Sequence, residues 1–109
     1  MAVIAKFIYE VKPGRMADFI AKLQAAADPK FQSAVMPTSV RLFRSTVPGP
    51  DTDHLVMLIE YDDMAAYGAR TAYETSNPAW RKLFAATPDS PERLLSVELL
   101  TQVAPTDAI

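Results

Sequence analysis

The sequence predicts a small α+β domain ordered β-α-β-β-α-β, with four antiparallel strands and helices on one face. Three observations predict it. Stretches rich in β-branched and aromatic residues alternate with period two, at residues 2–11, 38–47, 54–61 and 92–103. Between them the apolar pattern switches to helical spacing. Proline falls at most of the boundaries.

Residues 2–11 form the first strand, which stops at the turn pair Pro13-Gly14. Over residues 15–27, Met16, Phe19, Ile20 and Leu23 recur at i, i+3, i+4 and i+7, the stripe of a helix packed on a sheet. Asp28-Pro29 ends or kinks that helix, and Phe31 and Val35 can dock the connecting segment. The second and third strands, 38–47 and 54–61, flank the loop PGPDTD and read as a hairpin. Asp62 or Asp63 can cap a helix over 64–75, whose small residues allow close approach to the sheet. Ser76 or Asn77 can cap a second, short helix over 78–86, with Pro78 at its first position, where a missing N–H costs nothing. The fourth strand covers 92–103. This is the ferredoxin-like pattern, read as one domain over residues 1–104 with a loose tail over 105–109.

Composition removes several function classes. Half of the 109 residues are hydrophobic, enough for a core, yet no apolar run approaches the ~20 residues of a membrane helix. No basic flank precedes an unbroken apolar stretch in MAVIAKFIYEVKPG, so no signal peptide is expected. Without cysteine there is no disulfide, thiol nucleophile or thiolate metal site, and a cytoplasmic location is the default expectation. The net charge is −2, and the basic residues never cluster beyond the pair Arg81-Lys82, which speaks against nucleic acid as a partner.

The two sheet faces differ. Val3, Ala5, Phe7, Tyr9, Leu55, Met57, Ile59, Tyr61, Leu95, Val97 and Leu99 make one nearly apolar set, suited to lie under the helices. The other set mixes Ile4, Ile8, Val56, Leu58, Leu94 and Leu100 with Lys6, Glu10, His54, Glu60, Ser96 and Glu98. Leaving such aliphatic side chains in water forgoes ~1.5–3 kcal/mol for each one that can be fully buried. A contiguous patch of that kind marks an interface, so a homodimer through this face is expected, against a monomer with an apolar outer sheet. Charges at such a seam need partners, and Arg41 or Arg44 can supply one.

The element order with an apolar outer face resembles the dimeric α/β-barrel superfamily. The stretch MLIEYDDMAAYGARTAYETSNPAWRKLF is similar to its NIPSNAP-like branch, in which a strand end (here Glu60-Tyr61) leads into a helix and a proline and tryptophan (here Pro78 and Trp80) follow. YEVKPGRMADFIAKL is similar to that branch's first strand, PG turn and helix. Related antibiotic biosynthesis monooxygenases hold flat aromatic polyketides between sheet and helices and use Asn, Trp, Tyr and Arg, without metal or cofactor. The resemblance thus implies Asn77, Trp80, Tyr9, Tyr61 and Arg70 as ligand-binding candidates and implies no cofactor. It argues against heme degradation: the spacing of Asn77 to Trp80 is one shorter than the heme-degrading relatives imply, and those also need a helix histidine, whereas the single histidine, His54, opens a strand.

Each candidate also has a plain structural use. Trp80 shares a helix face with Leu83 and Phe84 and either plugs the core or walls a cleft. Tyr9 and Tyr61 either span core and surface or orient a hydroxylated ligand. Asn77 is a helix cap or an amide donor to a ligand. Arg70 pairs with Glu74 at i+4 or gates an anionic ligand. Asp51, Asp53 and His54 lack regular metal-ligand spacing, and Glu60 with Glu98 forms either a salt-bridged seam or an acid–base pair. Two functions stay open: a binder of a small apolar or aromatic metabolite that oxygenates or isomerises it, and a non-catalytic binding or oligomerisation module.

Overall fold

A computed structural model describes residues 1–47, 49 and 53–103. The strands β1 (Val3–Val11), β2 (Ser39–Arg44), β3 (Leu55–Tyr61) and β4 (Glu92–Thr101) form one antiparallel sheet in the order β2-β3-β1-β4. The helices are α1 (Met16–Ala26), α2 (Met64–Ser76) and α3 (Pro78–Phe84). This is the ferredoxin-like order, its second helical region being split in two. No helix among the described residues is long and apolar enough to cross a membrane. The tail expected over 105–109 lies outside the described residues.

Local chemistry explains the boundaries. Gly14 turns the chain into α1 at φ +73°, a conformation that side chains with a Cβ rarely adopt. A single 3-10 turn, Pro29–Phe31, follows α1 and buries Phe31. Asp63 caps α2, its carboxylate accepting from Ala66 N at 2.8 Å. The break between α2 and α3 comes from Pro78. A residue before proline is pushed out of the helical region, and Asn77 is extended at φ −91°, ψ 112°. The Asn77 side chain then restarts the helix by accepting from Ala79 N and Trp80 N at 3.0 and 3.2 Å.

The core lies between the sheet and α1. Phe19 is fully buried among Tyr9, Leu55 and Met57, with Phe7, Val11, Met16, Leu23, Leu42 and Ile59 packed around them. Register puts the strand residues on one face: Val3 opposite Tyr61, Phe7 opposite Met57, Tyr9 opposite Leu55, and Leu42 also opposite Met57. The tyrosine ring of position 9 tilts onto Phe19 at 5.0 Å between centroids.

Three expectations about the faces are corrected. Strict alternation along the fourth strand fails because the β1–β4 register shifts between Ile8 and Tyr9. Ile8 faces Ser96 but Tyr9 faces Leu94, so Leu95 is the extra residue of a bulge. Leu94 therefore lies on the helix face, not the outer face. Val97 and Leu99, expected under the helices, stay exposed because β4 is an edge strand. Arg44 pairs with Leu55 and so stands on the helix face, which leaves Arg41, opposite Leu58, as the arginine that β2 places on the outer face. On that face Ile8 is already buried in the single chain, Ile4, Val56 and Leu58 are half-buried, and Phe43 and Leu100 are exposed.

Candidate functional site

The helices stand off part of the sheet and leave a cavity of about 570 Å³, within the ~300–1,000 Å³ usual for small-molecule sites. The floor is the helix face of the sheet, with Phe7, Tyr9, Met57, Ile59, Tyr61 and Leu94. Leu23, Phe31, Arg70, Glu74, Trp80 and Phe84 close it from the helices and the connection after α1. The lining is mostly apolar, with a few polar groups set into it.

Arg70 is the most deeply placed of these, 2% exposed. Its Nη1 donates to the Phe31 carbonyl at 2.7 Å and to Ser33 Oγ at 3.0 Å, tying α2 to the connection between α1 and β2. Its Nε donates to Glu74 Oε2 at 2.9 Å. The guanidinium also lies 4.6 Å from the Tyr73 ring centre and 5.1 Å from that of Trp80. These contacts satisfy Nε and Nη1; Nη2 has no hydrogen-bond partner among the described residues.

Tyr9 and Tyr61 are 6% and 4% exposed. Neither phenol hydroxyl has a hydrogen-bond partner among the described residues, although neither is sealed from the cavity. Burial first, then the nearby Glu92 and Glu74 carboxylates, push the Tyr9 phenol well above its ordinary range. Burial, helped by Glu74 and opposed by Arg70, pushes Tyr61 up to about 12. Both are therefore protonated donors at neutral pH. Burial also raises the Glu74 carboxyl, against the stabilising hydrogen bond and charge of Arg70.

Glu92 is a further carboxylate of the cavity lining, beside Glu74 and Asp28. Lys22 of α1 holds it at 2.8 and 3.1 Å, both side chains nearly buried. The same ammonium lies 5.4 Å from the Phe84 ring centre. Trp80 is half-buried: it meets Phe31 edge-on at 5.2 Å and Phe84 at 4.8 Å, and it also faces the cavity. It packs the short helix and walls the cleft at once.

Of the residues singled out in the sequence, Tyr9, Tyr61, Arg70 and Trp80 meet at this cavity. Asn77 does not line it; its carbonyl caps α3 and its amide donates to Tyr73 Oη at 3.0 Å. Glu60 and Glu98 flank β1 on opposite sides, level with Ile4 and Lys6, so two strand spacings of ~4.8 Å separate them. They form no close acid–base pair. The Asp51–Asp53–His54 group lies partly outside the described residues.

Sequence reasoning saw Glu74 only as the partner of Arg70 and missed Glu92. The i,i+4 spacing was the available signal for Glu74. Glu92 has none, since the lysine that holds it is 70 residues away.

The NIPSNAP family model matches residues 7–96. No curated protein matches the chain. Several solved structures share the fold. A protein from Bordetella bronchiseptica, provisionally named an antibiotic biosynthesis monooxygenase, is 23% identical, with 94% of this chain and 98% of that one covered at a TM-score of 0.61. An uncharacterised NIPSNAP-like domain protein from Burkholderia xenovorans is 19% identical, with 95% and 89% covered at 0.57. A dimeric ferredoxin-like protein from an uncultured marine organism is 18% identical, with 97% and 100% covered at 0.63. These likenesses concern the fold, whereas the family match spans most of the sequence. The chain belongs to the NIPSNAP family.

Proposed function

We propose that the protein binds a small, largely apolar ligand bearing oxygen functions, such as a phenol or an aryl ketone, in the cavity between its sheet and helices. One observation carries this reading. Tyr9, Tyr61 and Arg70 are all more than nine-tenths buried, yet each keeps a donor atom without a partner among the described residues, at the wall of the same cavity. The donor atoms themselves stay open to the cavity, so a ligand there meets them in place of water. Three around one apolar space fit a ligand that supplies the acceptors. The apolar floor favours a flat hydrocarbon body, and Trp80 offers a ring face beside it.

The homodimer belongs to the same reading. The outer face presents Ile4, Val56, Leu58, Phe43 and Leu100 together, and a structural relative is described as dimeric. A second copy on that face leaves the cavity free, because the cavity opens on the other side of the sheet.

Titration with 2-naphthol, followed by the emission of the single tryptophan, tests the binding site. Saturable binding at one ligand per chain, lost in Tyr9→Phe/Tyr61→Phe, supports it. Saturation that is unchanged in that variant, or no binding by 2-naphthol or 2-tetralone, refutes it and leaves the non-catalytic module.

A further inference from the structure

We propose that Glu74 is a catalytic base: it takes a proton from the α-carbon of a bound apolar β,γ-unsaturated ketone and returns it to the γ-carbon, isomerising the ketone through its dienolate. The proposal rests on the binding reading above and adds a reaction to it.

The geometry of the carboxylate points this way. Arg70 Nε holds Oε2 at 2.9 Å and so fixes the group's orientation. Oε1 has no donor among the described residues, and the side chain forms part of the cavity wall. A base needs such an arrangement: one oxygen anchored, the other turned to the reactant. A proton leaving the carbon next to a carbonyl builds negative charge on the carbonyl oxygen. Tyr9 and Tyr61 supply hydroxyl donors without other duties to meet it.

The step balances within the protein and ligand. The C–H bond breaks and its proton bonds to Glu74 Oε1. The electron pair moves into the carbon–carbon bond and shifts the carbonyl electrons onto oxygen, where a tyrosine O–H donates to it. Because the ketone carries a β,γ double bond, the intermediate is a dienolate; in the second half its γ-carbon takes the proton back from Glu74, the carbonyl re-forms and the double bond ends in the α,β position. Nothing is oxidised or reduced, and the carboxylate is regenerated.

The charged and titratable groups around Glu74 agree with this role. On its own helix Arg70 favours the ionised form, while burial disfavours it and strengthens the base. From β3 and β1, Tyr61 and Tyr9 face it as neutral phenols. From β4, Glu92 is neutralised by Lys22 of α1, and from the connection after α1, Asp28 lines the same cavity with its carboxylate accepting from Lys30 N. The base therefore works ionised, and its reaction rate rises with pH through a pKa above the ordinary carboxylate range.

The probe is 2-tetralone, an aryl ketone with acidic α-protons, mixed with the full-length protein in deuterated water. Proton NMR reads α-deuteration, and tryptophan emission reads binding separately. The wild type is expected to deuterate 2-tetralone faster than buffer, with Glu74→Gln slower by at least ~10²-fold while still binding it. Because Glu74→Gln disturbs the partner of a buried arginine, Tyr61→Phe is the second variant: it leaves that pair intact and is expected to slow exchange by roughly 10²-fold. Binding without exchange above buffer, or exchange by Glu74→Gln at the wild-type rate, overturns the base assignment and leaves the binding reading standing. Absence of 2-tetralone binding and of 2-naphthol binding overturns both.

Discussion

Arg70 Nε and Glu74 Oε2 lie 2.9 Å apart on successive turns of α2, the guanidinium 2% exposed and the carboxylate 25%. The pair joins two jobs. Its cationic half anchors the connection after α1 through the Phe31 carbonyl, and its anionic half faces the cavity. Removing one member of a buried pair strands the other, so Arg70→Met is expected to cost about 3–5 kcal/mol. Arg70→Lys is expected to recover little of it, because one ammonium cannot reproduce the fork that reaches both Phe31 and Glu74. Urea unfolding of both variants checks this; a loss below 1 kcal/mol, the range of surface pairs, contradicts it.

Trp80 is only half-buried, so its truncation is expected to cost less than the ~3–5 kcal/mol of a fully buried aromatic residue. Trp80→Ala is expected to lose about 2 kcal/mol and to weaken 2-naphthol binding, the latter read by calorimetry since the emission is gone. Full core-like destabilisation with unchanged affinity contradicts a shared wall and packing role.

Asn77 separates helix capping from ligand contact. Asn77→Ala is expected to cost ~1 kcal/mol through the lost bonds to Ala79 N and Trp80 N. Ligand affinity is expected to stay as it was. A large affinity loss at unchanged melting temperature contradicts the cap assignment.

The tyrosines make stability depend on alkaline pH. Unfolded phenols titrate near ~10, whereas burial raises both in the folded chain, Tyr61 to about 12. A raised folded pKa gives a contribution that is intact below pH ~10 and declines as pH climbs through the folded value. The melting temperature of Tyr9→Phe/Tyr61→Phe is expected to fall less steeply than that of the wild type between pH 10 and 12. Equal slopes contradict the burial of the two phenols.

The proposed dimer uses the outer face. Leu58 sits opposite Lys6 and Arg41 at its centre, half-buried in the single chain. Leu58→Glu is expected to shift the sedimentation mass from two chains to one, with the helix-side cavity and its ligand affinity retained. A two-chain mass in the variant contradicts this interface.

The parts of the fold legible in the sequence are those set by near neighbours. Period-two alternation fixes the face of Phe7, Tyr9, Met57 and Ile59, and Pro78 announces the break between α2 and α3 before any packing is known. Leu94 was misplaced because a bulge leaves no mark in alternation: one extra residue, Leu95, turns the rest of the strand over. The site divides the same way. Tyr9, Tyr61 and Trp80 stand out by residue type and face, and Arg70 with Glu74 by helical spacing. Lys22 and Glu92 meet only because α1 packs beside the start of β4, a relation that local spacing does not encode.

Neighbouring residues of β3 decide the location of the ligand most directly. Met57 and Ile59 face the cavity, and Val56 and Leu58 face away from it. With methyl-labelled protein and saturating 2-tetralone, the methyl signals of Met57 and Ile59 are expected to shift and those of Val56 and Leu58 to stay in place. Shifts confined to Val56 and Leu58, or no shifts on either side, contradict a ligand site between sheet and helices.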